Sequence, residues 1–198
     1  MKHPSNIREL IKLPVDFIGF IFYAESPRYI GSLNPDDLEF IPSSVKRTGV
    51  FVNAQADYIK QQTEKYDLDI IQLHGSETAE FCEELNRIRP VIKAINISSP
   101  GDFEDIEIYE KACDYFLFDT KTQQHGGSGK KFDWSVLEYY KGSKPFFLSG
   151  GISSEDVAAI KEIKHPQLYG IDLNSKFESE PGLKNIQLLE KFIKEIQS

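Results

Sequence analysis

Short runs rich in β-branched and aromatic residues recur along the chain about every 25 residues, each followed by a polar stretch whose apolar side chains return at helical spacing. The runs are FIGFIF at 17–22, RTGVFV at 47–52, DIIQLH at 69–74, VIKAIN at 91–96, YFLFDT at 115–120, PFFLSG at 145–150 and LYGIDL at 168–173. Helices are predicted over 34–41, 56–66, 78–88, 102–112, 134–140, 154–163 and 185–197, several opening on Asn, Ser, Thr or Asp, whose side chains cap the free N–H groups of a first turn. A further short helix is predicted before the first run, where Ser5 and Asn6 precede Ile7, Leu10, Ile11 and Leu13. Strand and helix in strict alternation specify an α/β fold with a parallel sheet.

The order of these elements is α(βα)₇, seven strands and eight helices. An open sheet of seven parallel strands leaves two unpaired edges, whereas one more strand in front would give (β/α)₈, a TIM barrel that closes on itself and has no edge. The pattern therefore predicts a single barrel domain over residues 1–198 that lacks the first β-strand. A doubly wound open sheet is the alternative, but no GxGxxG fingerprint follows any run.

Composition narrows the function without naming it. At 198 residues with 40% hydrophobic content the chain has enough apolar material for one substantial core. A net charge of −8 gives no overall positive field, and Lys130-Lys131 is too short a basic cluster to track nucleic acid or an anionic membrane. Two cysteines, Cys82 and Cys113, with neither CxxC spacing nor disulfide density, fit a reducing cytoplasm and suggest no metal site. Neither a signal-like N-terminus nor an apolar run of membrane-spanning length is present, so a soluble cytoplasmic protein is expected.

In a barrel of this type the chemistry sits at the C-terminal ends of the strands. The sixth run ends in Ser149-Gly150-Gly151, and two consecutive glycines there let backbone N–H groups approach an anion while the next helix adds its partial positive charge. The last run ends in Asp172-Leu173-Asn174-Ser175, beside that same point; counted from the absent strand these are the seventh and eighth loops, where barrels bind phosphate. A sugar phosphate is the ligand class this implies. YFLFDT ends in Asp119, a carboxylate at the mouth of an apolar strand and a candidate general acid, with a turn-capping role as the alternative. The segment Gly126-Gly127-Ser128-Gly129-Lys130-Lys131 has the length of a lid; Gln124 and Lys131 exclude a Walker A motif. His74 closes QLHG and Arg28 follows Pro27, where its guanidinium can clamp a carboxylate. His3, His125 and His165 lie away from strand ends, and both cysteines read as packing residues.

The ordered set GFIF…SPRY, QLHG, FDT followed by GGSGKKFDW, LSGGI and GIDLNS…PGLKN resembles the phosphoribosylanthranilate isomerases of tryptophan biosynthesis, from about residue 5 to the C-terminus. The resemblance implies an eight-stranded barrel, no cofactor, a small phosphosugar substrate, and an Amadori rearrangement of N-(5-phosphoribosyl)anthranilate to 1-(2-carboxyphenylamino)-1-deoxyribulose 5-phosphate, by a monomer or a homodimer. It assigns Asp119 as general acid, Arg28 to the anthranilate end, Gly150, Gly151, Asn174 and Ser175 to phosphate, and His74 and Asp172 to the pocket lining. Asn174 stands where the family more often has Ser, and Asn185 where Asp is common.

The departure is at the front. The family's first strand ends in Lys-x-Cys-Gly, whose cysteine is the general base, and here the sequence opens on Met1 in a segment resembling the one just after that motif. The expectation is a base-bearing strand upstream of Met1 in a working isomerase. The alternative is a non-catalytic or degenerate phosphosugar-binding barrel; a related histidine-pathway isomerase would instead carry a carboxylate in that strand.

Overall fold

The computed structural model describes residues 1–120 and 133–198. Seven parallel strands form one sheet in the order of the chain: β1 Phe17–Ile21, β2 Lys46–Phe51, β3 Ile70–Leu73, β4 Val91–Ile97, β5 Tyr115–Thr120, β6 Phe146–Leu148 and β7 Leu168–Ile171. Every predicted run is a strand, to within three residues at either end. The runs read as almost continuously apolar because both faces are buried, as in parallel sheets covered by helices. Ile70, Ile92, Ala94, Leu117 and Phe147 form one cluster inside the curve of the sheet, with Phe17 and Tyr115 packed on it. Their neighbours Ile71, Leu73, Phe116, Phe118, Phe146 and Leu148 belong to the larger outer core beneath the helices.

The sheet curls as a TIM-type barrel does. Phe17 of β1 lies 5.1 Å from the Phe147 ring and 6.2 Å from Tyr169 of β7, so the two ends of the strand order face each other. Among the described residues no strand pairs between them. On the outer side of β1 the Gly19 carbonyl accepts from the Met1 amine at 2.6 Å, and the Ile21 carbonyl from Ile30 N–H at 3.1 Å.

The α-helices are α1 Pro4–Leu10, α2 Ala56–Lys65, α3 Ala79–Asn86, α4 Val157–Glu162 and α5 Ile186–Gln197. Three predicted α-helices are instead 3₁₀ segments, Pro35–Leu38, Pro100–Tyr109 and Trp134–Tyr139, and α4 is preceded by the 3₁₀ turn Ser154–Asp156. The cause lies in the apolar spacing. Phe103, Ile106 and Tyr109, like Trp134, Leu137 and Tyr140, return every third residue and pack on the core, and a three-residue turn keeps such a row on one face where a 3.6-residue turn would rotate it away. An antiparallel hairpin that the pattern did not predict, β8 Glu178–Glu180 with β9 Leu183–Lys184, turns at Pro181-Gly182, where Gly182 has φ +88°. The predicted lid at 126–131 and His125 lie outside the described residues.

Candidate active site

The strand ends converge on a cavity of about 740 Å³. Arg28, His74, Asp119 and Asp172 line it, and so do Gly150, Gly151, Asn174 and Ser175, so every residue proposed from the sequence meets at one place. The cavity also extends between β1 and β7, past Phe17, Gly19, Ile21 and Tyr169 to Leu189, Phe192 and Ile193 of α5.

Asp119 is not the lone carboxylate expected. Its Oδ1 accepts from the Thr120 N–H at 2.7 Å, and its Oδ2 lies 3.3 Å from His74 Nε2. On the other side of the ring, Gln72 Nε2 lies 3.1 Å from His74 Nδ1. With the Gln72 amide donating, Nδ1 is the acceptor and Nε2 carries its proton toward Asp119, which fixes the imidazole tautomer and aims the carboxylate. Asp172 is held as well. Ser149 Oγ donates to its Oδ2 at 2.9 Å, and burial pushes its carboxyl above the usual range despite the Lys184 charge and this hydrogen bond.

At the end of β6 Gly150 and Gly151 have φ +92° and +68°. A Cβ on Gly150 would stand 2.6 Å from the Thr120 amide nitrogen and 2.8 Å from Asp119 Oδ1, so glycine is what lets this loop pass against that carboxylate. The expected contribution of the next helix is weaker than the sequence suggested. Asp156 accepts from Ser153 N–H at 2.7 Å and Ser153 Oγ at 2.9 Å, so a carboxylate already occupies that helix start. Asn185 caps α5 by accepting from Leu188 N–H at 3.1 Å, a role Asp fills equally, which accounts for that departure from the family pattern.

Arg28 does not stand free either. Its Nε and Nη2 both reach Glu178 Oε2, at 2.8 and 2.7 Å. Burial alone would push the Glu178 carboxyl up; the Arg28 hydrogen bond and the Lys184 charge outweigh it and hold it below the usual range. Glu178 and Lys184, both on the unpredicted hairpin, were not singled out from sequence; Pro181-Gly182 was the available turn signal. A second buried pair was also missed. Lys93 of β4 donates to the Gly75 carbonyl at 2.7 Å and Glu77 at 2.9 Å, while Glu77 accepts from the N–H groups of Asn53 and Gly75. The pair ties the β2, β3 and β4 ends together next to His74. Its sequence signal was a lysine within an apolar strand, which needs a buried partner.

Neither cysteine lines the cavity. Both are fully buried in the outer core, and burial pushes the Cys82 thiol up to about 11 and the Cys113 thiol to about 12. Among the described residues no cluster of His, Cys, Asp and Glu is arranged to hold a metal ion, and no helix is long and apolar enough to cross a membrane.

The family profile of N-(5'-phosphoribosyl)anthranilate (PRA) isomerase matches residues 1–195. The isomerase of that name from Parabacteroides distasonis is 48% identical over 99% of this chain and 90% of its own length. The crystal structure of phosphoribosyl anthranilate isomerase from Thermotoga maritima superposes with a TM-score of 0.87 at 34% identity, covering 100% of this chain and 95% of that one. A further crystal structure of such an isomerase, in complex with reduced 1-(o-carboxyphenylamino)-1-deoxyribulose 5-phosphate, superposes at 0.83 with 31% identity, covering 100% of this chain and 95% of that one. With a Gly-Gly loop, an arginine and a histidine-held carboxylate around one cavity, this chain belongs to the phosphoribosylanthranilate isomerase family.

Proposed function

We propose that this fold carries out the Amadori rearrangement of N-(5-phosphoribosyl)anthranilate to 1-(2-carboxyphenylamino)-1-deoxyribulose 5-phosphate in tryptophan synthesis. The observation that carries the proposal is the meeting of Asp119, Arg28 and Gly150-Gly151 around one cavity, which supplies an acid, a cation for the anthranilate carboxylate and amides for the phosphate. Asp119 in its protonated form gives its proton to the ribose ring oxygen; the C1–O bond breaks and the anthranilate nitrogen becomes an iminium. Removal of the C2 proton moves the electron pair to the iminium and leaves an enol, which becomes the ketone. Gly150, Gly151, Asn174 and Ser175 hold the phosphate throughout, and His74 and Asp172 border the sugar. No cofactor enters this sequence of steps. The named groups all come from one chain, so a monomer suffices and a homodimer is compatible; two buried free thiols accord with the cytoplasm.

The proton-removing group belongs, on this reading, to a further strand seated between β1 and β7, ending in Lys-x-Cys-Gly. That strand would complete the barrel domain. A chain that carries such a strand ahead of β1 turns the substrate over, and one without it binds phosphosugar with negligible turnover. Turnover is followed spectroscopically with the synthesised substrate, and Asp119→Asn in the extended chain should lower kcat at least about 100-fold with little change in KM. Equal activity with and without the extension would refute the assigned base, and full activity of the Asp119→Asn variant the assigned acid. The second reading, a phosphosugar-binding barrel without catalysis, is favoured by the burial of both thiols, and it stands if the extended chain binds but does not turn over.

A further inference from the structure

Lys184 has a buried side chain, and all three of its ammonium hydrogens are engaged: by the Leu173 carbonyl at 3.0 Å, Asn174 Oδ1 at 2.9 Å and Glu178 Oε1 at 3.3 Å. It has no donor left for a ligand. Its backbone is equally fixed, since Lys184 N–H donates to Asn6 Oδ1 at 2.7 Å and Asn6 Nδ2 returns a bond to the Lys184 carbonyl at 2.9 Å. The lysine is therefore held from α1 and acts on the loop that lines the phosphate end.

A primary amide has two faces, a carbonyl that repels an anion and an NH₂ that binds it, and an unrestrained Asn can present either. Here an ammonium claims Asn174 Oδ1, and the amide hydrogens on Nδ2 are left for the cavity that Asn174 lines with Gly150 and Ser175. A Ser at this position needs no such control, because a hydroxyl rotates to donate in any direction. We propose that Lys184 is a positioning residue that turns the Asn174 amide so that its NH₂ faces the phosphate group. The same ammonium pairs with Glu178, whose other oxygen holds Arg28, so one buried cation aligns both ends of the site.

This inference rests on the phosphate assignment above, and inorganic phosphate tests it without requiring turnover. Binding is measured calorimetrically for the full chain, Lys184→Met, Asn174→Ser and the double variant. Losing the ammonium charge weakens phosphate in both backgrounds, and the cycle removes that common part. The expected result is a loss of at least about tenfold when Lys184→Met is made alone and under about threefold when it is made on top of Asn174→Ser, so that Asn174→Ser rescues Lys184→Met. Equal losses in the two backgrounds, or no loss in either, overturn the positioning role, and absence of phosphate binding by the unaltered chain overturns it together with the phosphate assignment. Phosphate binding with the expected rescue but without isomerase turnover leaves it standing while the activity fails. Should Lys184→Met not fold, Lys184→Leu takes its place in both backgrounds, with Glu178 still paired to Arg28.

Discussion

Substituting Gly150 by Ala should damage stability and chemistry together, and the structure supplies its own control. The new Cβ meets the Thr120 amide nitrogen at 2.6 Å and Asp119 Oδ1 at 2.8 Å, and it also collides with Thr120 Oγ1. The first two are a backbone atom and a carboxylate fixed by two contacts, so relief requires a shift on the order of 1 Å to restore ordinary contact distance. Overpacking of this kind costs about 1–3 kcal/mol, and a side chain at positive φ adds roughly 1–2 kcal/mol. Gly31 has φ +61° and open space for 4 Å around the point where a Cβ would stand, so Gly31→Ala carries the conformational cost alone. For a protein of this size each kcal/mol lowers Tm by about 2–4 °C, which places Gly150→Ala about 4–20 °C below the parent and Gly31→Ala about 2–8 °C below. Because the displaced atoms include Asp119, the acid proposed above, kcat of a catalytically active chain should fall on the order of 100-fold for Gly150→Ala and stay unchanged for Gly31→Ala. Calorimetric melting at pH 7 with steady-state kinetics on both variants decides the matter. If both melt alike and Gly150→Ala keeps its kcat, the loop does not press on Asp119 as described.

The buried charges and thiols give three more expected outcomes. Lys93→Met strands the Glu77 carboxylate, 3% exposed, and should cost about 3–5 kcal/mol, part of which returns when Glu77→Gln is added; thermal melts of the single and double variants test this. Because burial raises the folded-state pKa of Asp172, its protonated form favours the fold at low pH, and this contribution is lost as pH rises from 3.8 through the folded value. Asp172→Asn should accordingly melt above the parent at pH 7, with the gap closing as pH falls below about 4; a gap independent of pH would show that desolvation is not the cause. Cys82 and Cys113 should resist an aromatic disulfide reagent at about pH 8 in the folded chain and both react in denaturant, and rapid labelling of either in the native state would contradict their placement.

The strands were legible because burial on both faces writes an unbroken apolar run into the sequence, and the strand ends then marked out the site residues. What the sequence hid was of two kinds. The three-residue apolar spacing of Phe103, Ile106 and Tyr109 overlaps with α-helical spacing over so short a span, and only the packed chain distinguishes the two. The supporting charges, Glu77 with Lys93 and Glu178 with Lys184 and Arg28, join residues well separated in the chain. Nothing local distinguishes Glu178 from the solvated carboxylates around it. Arg28 lines the cavity, yet its partner belongs to a hairpin whose polar sequence gives no strand alternation.

Strand order has a consequence for how the molecule is made. Each strand pairs only with its neighbours in sequence, so a chain emerging from its N-terminus can lay down the sheet one unit at a time, closing only short loops as it goes. The bonds between Asn6 and Lys184 span 178 residues and are among the last to become possible. They lie beside the Asn174 end of the cavity. A nascent or C-terminally clipped chain therefore carries most of the fold with an unfinished cavity, and completion of the polypeptide and completion of the pocket become the same event.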